Sequence, residues 1–252
     1  MKIGVAFGGG ATRGMAHVGV LSVLVEAGIP IHCVAGCSAG SVIGAVYCAG
    51  IAPDQMKTMA ANVRWRRIAS RDQTKAGIFT FDRLERWMEM ELGAIDFVDL
   101  EKPLAIVAAD ISTGERIVLR TGRVAKAAHA SCAVLGLIRP VEIDGRLLMD
   151  GGIVDNLPSA AARELGADFV IGVDVFEPSY ERNGGLLGKG ITVLETLIRN
   201  TGGGIGTADF LISPKTAGRS FFRFGQFREL IALGEQTARE DLPSLMRCIE
   251  NI

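Results

Sequence analysis

Twice within the first 50 residues a short apolar run ends in a small-residue turn and restarts as an apolar helical pattern. "KIGVAF" (2–7) runs into "GGGATRG" (8–14), and from about Met15 to Ala27 residues such as Val18, Leu21 and Val25 share one helical face. "IHCVAG" (31–36) then runs into a serine turn, and "AGSVIGAVYCAG" (39–50) continues as a helix closed by Gly50. Strand, helix, strand, helix in this rhythm requires parallel strands joined by crossovers.

No charged side chain occurs from Ala27 to Pro53, a length that could also cross a membrane. Gly36, Gly40 and Gly44 even copy the small-residue spacing of packed transmembrane helices. Pro30 and the turn "AGCSAG" interrupt the run, so a buried strand, a turn and a buried helix are expected instead.

Downstream, 54–92 reads as helical, polar and less compact. "PLAIVAAD" (103–110) and "ERIVLR" (115–120) read as strands, and "GRVAKAAHASCA" (122–133) as a helix. "PVEIDGRLLMDGG" (140–152) reads as a hairpin turning at Asp144-Gly145. A helix over 157–167 and a buried strand over 168–175 follow. The glycine-rich 184–206 region is expected to loop around a helix at 191–200, and 227–249 is an amphipathic helix. The expected fold class is α/β, a three-layer α/β/α arrangement about a mostly parallel central sheet. One domain spans 1–252, with 54–92 as an insertion able to form a helical cap.

Composition removes some functions. A net charge of −1 argues against nucleic-acid binding. Five cysteines without paired spacing point away from disulfides and zinc and toward a reducing cytoplasm. The opening residues reach a glycine loop too soon for a signal peptide. No cluster of metal ligands stands out, and no metal or cofactor is expected.

Three stretches carry chemistry. In "AGCSAGS" (35–41), Gly36, Ser38 and Gly40 form the Gly-x-Ser-x-Gly elbow between strand and helix. Such a turn strains the serine and exposes its hydroxyl, and the following helix turns its positive end toward the site. The same pattern could be a structural turn only. "GGGATRG" fails as a dinucleotide loop, because neither Gly8 nor Gly9 starts a frame with three correctly spaced glycines. It can instead present several N–H groups to one anionic oxygen, with an arginine beside them. In "MDGG" (149–152), Asp150 sits at a strand end before Gly151 and Gly152, as a turn-maker or as a general base. A carboxylate base needs partial desolvation to raise its pKa.

Taken in order, "FGGGATRGMAHVGVL", "GCSAGS", "AADISTGE", "ASCAVLGLIRPV" and "MDGGIVDNLP" resemble the blocks of the patatin-like phospholipases, over nearly the full length. The resemblance implies a patatin-like fold and a serine–aspartate dyad, Ser38 as nucleophile and Asp150 as base. It also implies an oxyanion hole from the amides around Gly9, Gly10 and Ala11, structured by Arg13. The chain departs from the pattern at Ala11, where relatives often have a fourth glycine, and at Ala133-Val134-Leu135-Gly136, where they often have Ser-Ile-Pro-Gly.

Two rivals stand beside the dyad. Ser38, Asp110 and His129 follow the α/β-hydrolase triad order, although His129 sits in an apolar helix. A non-catalytic lipid-binding or regulatory module is the other, and it would tolerate damage to motifs that are intact here. Under the dyad reading the substrate is an acyl ester of a phospholipid or lysophospholipid. The basic "RWRRIASRDQTK" (64–75) is either a solvated helix face or a contact with anionic headgroups at the inner face of the membrane.

Overall fold

Strand β1 (Ile3–Phe7) pairs in parallel with β2 (Ile31–Cys37). Helix α1 (Met15–Glu26) connects them, and α2 (Ala39–Cys48) leaves the end of β2. The computed structural model describes residues 1–74, 76–176, 193 and 195–251. In it the uncharged 27–53 run is β2, a turn and α2, and no described helix is long and apolar enough to cross a membrane.

The main sheet has eight strands. On one side of β1 lie β9 (Phe169–Val173) and β10 (Phe210–Ile212), both parallel. On the other, beyond β2, lies β5 (Leu104–Asp110), also parallel. An antiparallel margin of β6 (Arg116–Leu119), β7 (Val141–Ile143) and β8 (Arg146–Asp150) completes it. The β7–β8 turn falls at Asp144 (φ 51°) and Gly145 (φ 75°), the doubly positive pair that matches strand twist.

Side chains alternate across the parallel strands with period two. Ile3, Val5, Phe7, Val34, Leu104 and Ile106 enter the core beneath α1, α2 and the C-terminal helix (Phe227–Glu250). Ala6, Cys33, Ala35 and Ala105 face the opposite layer, with Ala161 and Ala162 of α7 (Ser159–Glu164). Small residues on that face let α7 pack close. The result is a mixed, mostly parallel sheet between two helical layers.

The 54–92 region differs from its helical reading. It contains α3 (Pro53–Ala60), α4 (Trp65–Ile68) and α5 (Asp82–Leu92), but also an antiparallel pair, β3 (Ser70–Arg71) with β4 (Phe79–Thr80). Asp72 closes that pair by accepting from the Thr74 hydroxyl (2.9 Å) and the amides of Thr74 (3.1 Å) and Gly77 (3.0 Å). An aspartate that captures backbone donors competes with helix, and this local effect overrides the polar helical pattern. Part of the expected 191–200 helix lies outside the described residues, as does 184–192 of the expected loop; 195–199 are helical.

Candidate active site

Two strands meet end to end on one edge of β5. Parallel to it, β2 ends with Cys37 paired to Val107, while antiparallel β8 ends with Asp150 paired to Ala108. Strand β6 pairs with Ile106 through Ala109, so it occupies the other edge. The chain leaves β2 at Ser38 and β8 at Asp150, and the sheet therefore delivers both side chains to one junction.

Ser38 adopts φ 50° and ψ −123°, a strained backbone that costs about 1–3 kcal/mol and must be held by its surroundings. Its amide donates to the Ser131 hydroxyl (2.8 Å), at the end of α6 (Val124–Ser131), and that hydroxyl donates to the Val107 carbonyl (2.6 Å). Its carbonyl accepts from the Ser41 hydroxyl (2.6 Å) and amide (2.9 Å). The flanking glycines are steric requirements: a side chain at Gly40 would overlap the Phe7 carbonyl, and one at Gly36 the backbone of Gly40 and Ser41. Helix α2 begins at Ala39, so its positive pole lies against the serine.

The Ser38 hydroxyl is within hydrogen-bonding reach of the Asp150 carboxyl, and the two residues are only 8% and 9% exposed. Burial raises the Asp150 pKa to about 6, while the bonds from Ser38 and the Gly152 amide (2.8 Å) pull it down. Gly151 lies so close to the Val107 carbonyl that a side chain there would overlap it. The Asp150 amide donates to the Ala133 carbonyl (2.9 Å), within the departing 133–136 block.

In the glycine loop the three expected amides are not equivalent. Gly9 borders the serine, since a side chain there would come 3.3 Å from Ser38 Cβ. Its amide, however, donates to the Asn156 carbonyl (3.1 Å), as the Gly8 amide does to Val173 (3.0 Å). A donor engaged in that way does not face an oxyanion. The amides of Gly10 and Ala11 have no acceptor among the described residues, so two of the three expected amides remain available, while that of Thr12 is taken by Phe221. Ala11 holds φ 49°, the left-handed backbone that a glycine takes at no steric cost.

Arg13 is buried and its Nε donates to the Arg219 carbonyl (2.9 Å), with the guanidinium 3.8 Å above the Phe221 ring. Thr12 adds its amide to Phe221 (3.2 Å) and its hydroxyl to the Ser220 carbonyl (2.7 Å). The loop is thus pinned from 219–221, a segment more than 200 positions away along the chain. Ser131 and Asn156 lie inside the quoted blocks, yet their roles escaped notice because no local pattern says what a hydroxyl or a carbonyl touches across the fold.

The histidine triad is not assembled. His129 Nδ1 is paired with Glu85 (2.9 Å), and its Nε2 has no partner among the described residues. Asp110 accepts from the Ser112 (2.8 Å) and Thr113 (3.3 Å) amides and faces Arg146 (3.5 Å). His17 donates through Nε2 to the Gly8 carbonyl (2.8 Å), and burial lowers its pKa to about 4, so it props the loop as a neutral ring.

From Ser38 a cavity of about 150 Å³ extends beneath the 54–92 region. Val42, Val46, Met56, Ala60, Leu84 and Trp87 are among its walls, and the lining is almost entirely apolar.

A strained serine between a parallel strand and a helix, beside a carboxyl and over an apolar cavity, defines a class of serine-centred α/β proteins. The sequence model of the patatin-like phospholipases matches residues 5–163, more than half of the chain, and the chain belongs to that family. An uncharacterized NTE family protein of Mycobacterium tuberculosis is 35% identical over 177 residues, 69% of this chain and 49% of the relative. Lysophospholipase NTE1 of Coccidioides immitis is 34% identical over 180 residues, covering 69% of this chain and 11% of its own. The chain therefore spans about half the length, or less, of these curated relatives. Among solved structures, VipD from Legionella pneumophila shares the fold (TM-score 0.57, 14% identity, 96% of this chain and 67% of that one). So does ExoU (TM-score 0.52, 15% identity, 96% and 52%).

Proposed function

We propose that the chain is a serine acyl hydrolase that cleaves acyl esters of phospholipids or lysophospholipids through Ser38 and Asp150. The supporting observation is the coincidence of a strained serine, a desolvated carboxyl and an apolar cavity at one junction. As Ser38 attacks the ester carbonyl, Asp150 takes its proton, and the oxyanion develops against the amides of Gly10 and Ala11. The alcohol leaves with the proton returned by Asp150. Water then attacks the acyl-enzyme with Asp150 again as base. A carboxyl with a pKa of about 6 is a better proton acceptor near neutral pH than one in its ordinary range. Arg13 and His17 hold the loop and do not touch substrate.

In this reading 54–92 is the cap over the acyl chain, since Met56, Met59, Trp65, Leu84 and Trp87 line the cavity. The protein works in the cytoplasm, where its cysteines stay reduced, and meets its substrate at the inner face of the membrane. A fluorophosphonate should label wild type and not Ser38→Ala. Hydrolysis of a panel of acyl esters and phospholipids should be lost in both Ser38→Ala and Asp150→Ala. Full hydrolysis by either variant would overturn the dyad.

A further inference from the structure

We infer that the cavity mouth is a docking face for an anionic lipid bilayer, built from an apolar rim and an unpaired arginine patch on the cap. The inference names the surface from which the substrate comes, and in that respect it rests on the acyl-hydrolase reading. Ile78, Leu135 and Phe222 are 55%, 57% and 62% exposed, and Val134 is 44% exposed. The fold gathers these residues from three distant segments. The Ile78 and Phe79 amides donate to the Leu137 carbonyl (3.1 and 2.9 Å), which lays 134–137 beside the cap hairpin. The Trp65 ring stands 5.6 Å from Phe79 and 6.4 Å from Phe222, which joins 219–224 to the same patch. Val134, Leu137, Trp65 and Phe222 also line the cavity, so the exposed apolar residues surround its opening.

Charge selects the occupant. Arg64, Arg66, Arg67 and Arg71 flank Trp65 and are exposed, and no acidic side chain among the described residues pairs with them. Arg139 nearby is already held by Asp82 (2.9 Å) and Asp72 (3.5 Å). The Arg64 guanidinium donates to the Ala61 (2.8 Å) and Val63 (2.7 Å) carbonyls, and all four arginines keep their charge without an acidic partner among the described residues. Such arginines around protruding apolar side chains suit a surface with anionic headgroups above an acyl layer. Each arginine near such a surface contributes about 1 kcal/mol, and the apolar tips add the transfer of their side chains out of water.

The test uses Ser38→Ala protein, so that vesicles are not consumed, with phosphatidylcholine vesicles containing or lacking about one third phosphatidylglycerol. The protein should sediment with the anionic vesicles and be released by high salt. Adding Arg66→Gln, Arg67→Gln and Arg71→Gln together should weaken binding on the order of 10- to 100-fold. Adding Ile78→Ser and Leu135→Ser together should weaken it about 10-fold. The same two sets placed in active protein should leave hydrolysis of a soluble short-chain ester unchanged. Sedimentation by both variant sets equal to that of the parent overturns the inference. So does a dimer in size-exclusion chromatography that Ile78→Ser with Leu135→Ser dissociates, because the face would then be covered by a second copy. Soluble-ester hydrolysis without vesicle binding sinks the docking face alone, and vesicle binding without hydrolysis sinks the activity alone.

Discussion

The hydroxyl of Ser131 accepts the amide proton of Ser38 at 2.8 Å and passes its own to the Val107 carbonyl at 2.6 Å, tying the strained turn to β5. Ser131→Ala leaves that buried amide without a partner, at a cost of about 1–3 kcal/mol. We expect a lower melting temperature and a kcat about 10-fold down with KM little changed, because the serine is misplaced while the cavity is intact. Unaltered kcat in a folded variant would show that α2 and the flanking glycines hold the turn without help.

Asp150 should carry opposite consequences for activity and stability. Its pKa is about 6 in the folded chain against an ordinary carboxylate value in the unfolded one. The folded state therefore binds the proton more tightly. Below about pH 4 both states are protonated and ionisation costs nothing. As pH rises through 6 the cost grows to about 3 kcal/mol and stays. Asp150→Asn should abolish hydrolysis yet raise unfolding free energy at pH 8, a gain that fades toward pH 4. Chemical denaturation of both proteins across that range measures it; a pH-independent difference would contradict the desolvated carboxyl.

With Asp150 as the proposed base, wild-type kcat/KM should rise with pH through a single ionisation near 6, where its carboxyl becomes able to accept a proton. His17, with a pKa of about 4, and His129, paired with Glu85, are both expected to leave that profile unmoved when changed to glutamine. A midpoint shift in His129→Gln would restore the triad to consideration.

Ala60 lies on α3, buried, in the wall of the cavity. Ala60→Phe would fill space that an acyl chain needs. At about 0.8 kcal/mol for each methylene displaced, two or three methylenes are worth on the order of 10- to 100-fold in kcat/KM for a long-chain ester. A short-chain ester should be hydrolysed as before. Equal losses on both would mean that the acyl chain lies elsewhere.

At Ala11 the φ of 49° places an L side chain where glycine is favoured. Ala11→Gly should keep activity and raise stability by less than about 1 kcal/mol, because relief of strain is offset by greater freedom of the unfolded chain. A marked loss of activity would mean that the Ala11 methyl, in the cavity wall, positions substrate.

What the sequence determined by itself was set by neighbours along the chain. The strand–turn–helix rhythm, the serine elbow, and the turn at Asp144-Gly145 all follow from short-range sterics and from periodicity, and each stands where its residues placed it. The family blocks also paired Ser38 with Asp150, although 112 positions separate them and no spacing rule connects them. Only the tertiary structure explains the pairing, through β2 and β8 abutting on one edge of β5. It also decided that the Gly9 amide goes to Asn156, that His129 turns to Glu85, and that Asp72 folds part of the 54–92 region into a hairpin. Those outcomes depend on which donor reaches which acceptor once the layers have packed. Such a competition is settled by geometry across the core, and local pattern carries no record of it.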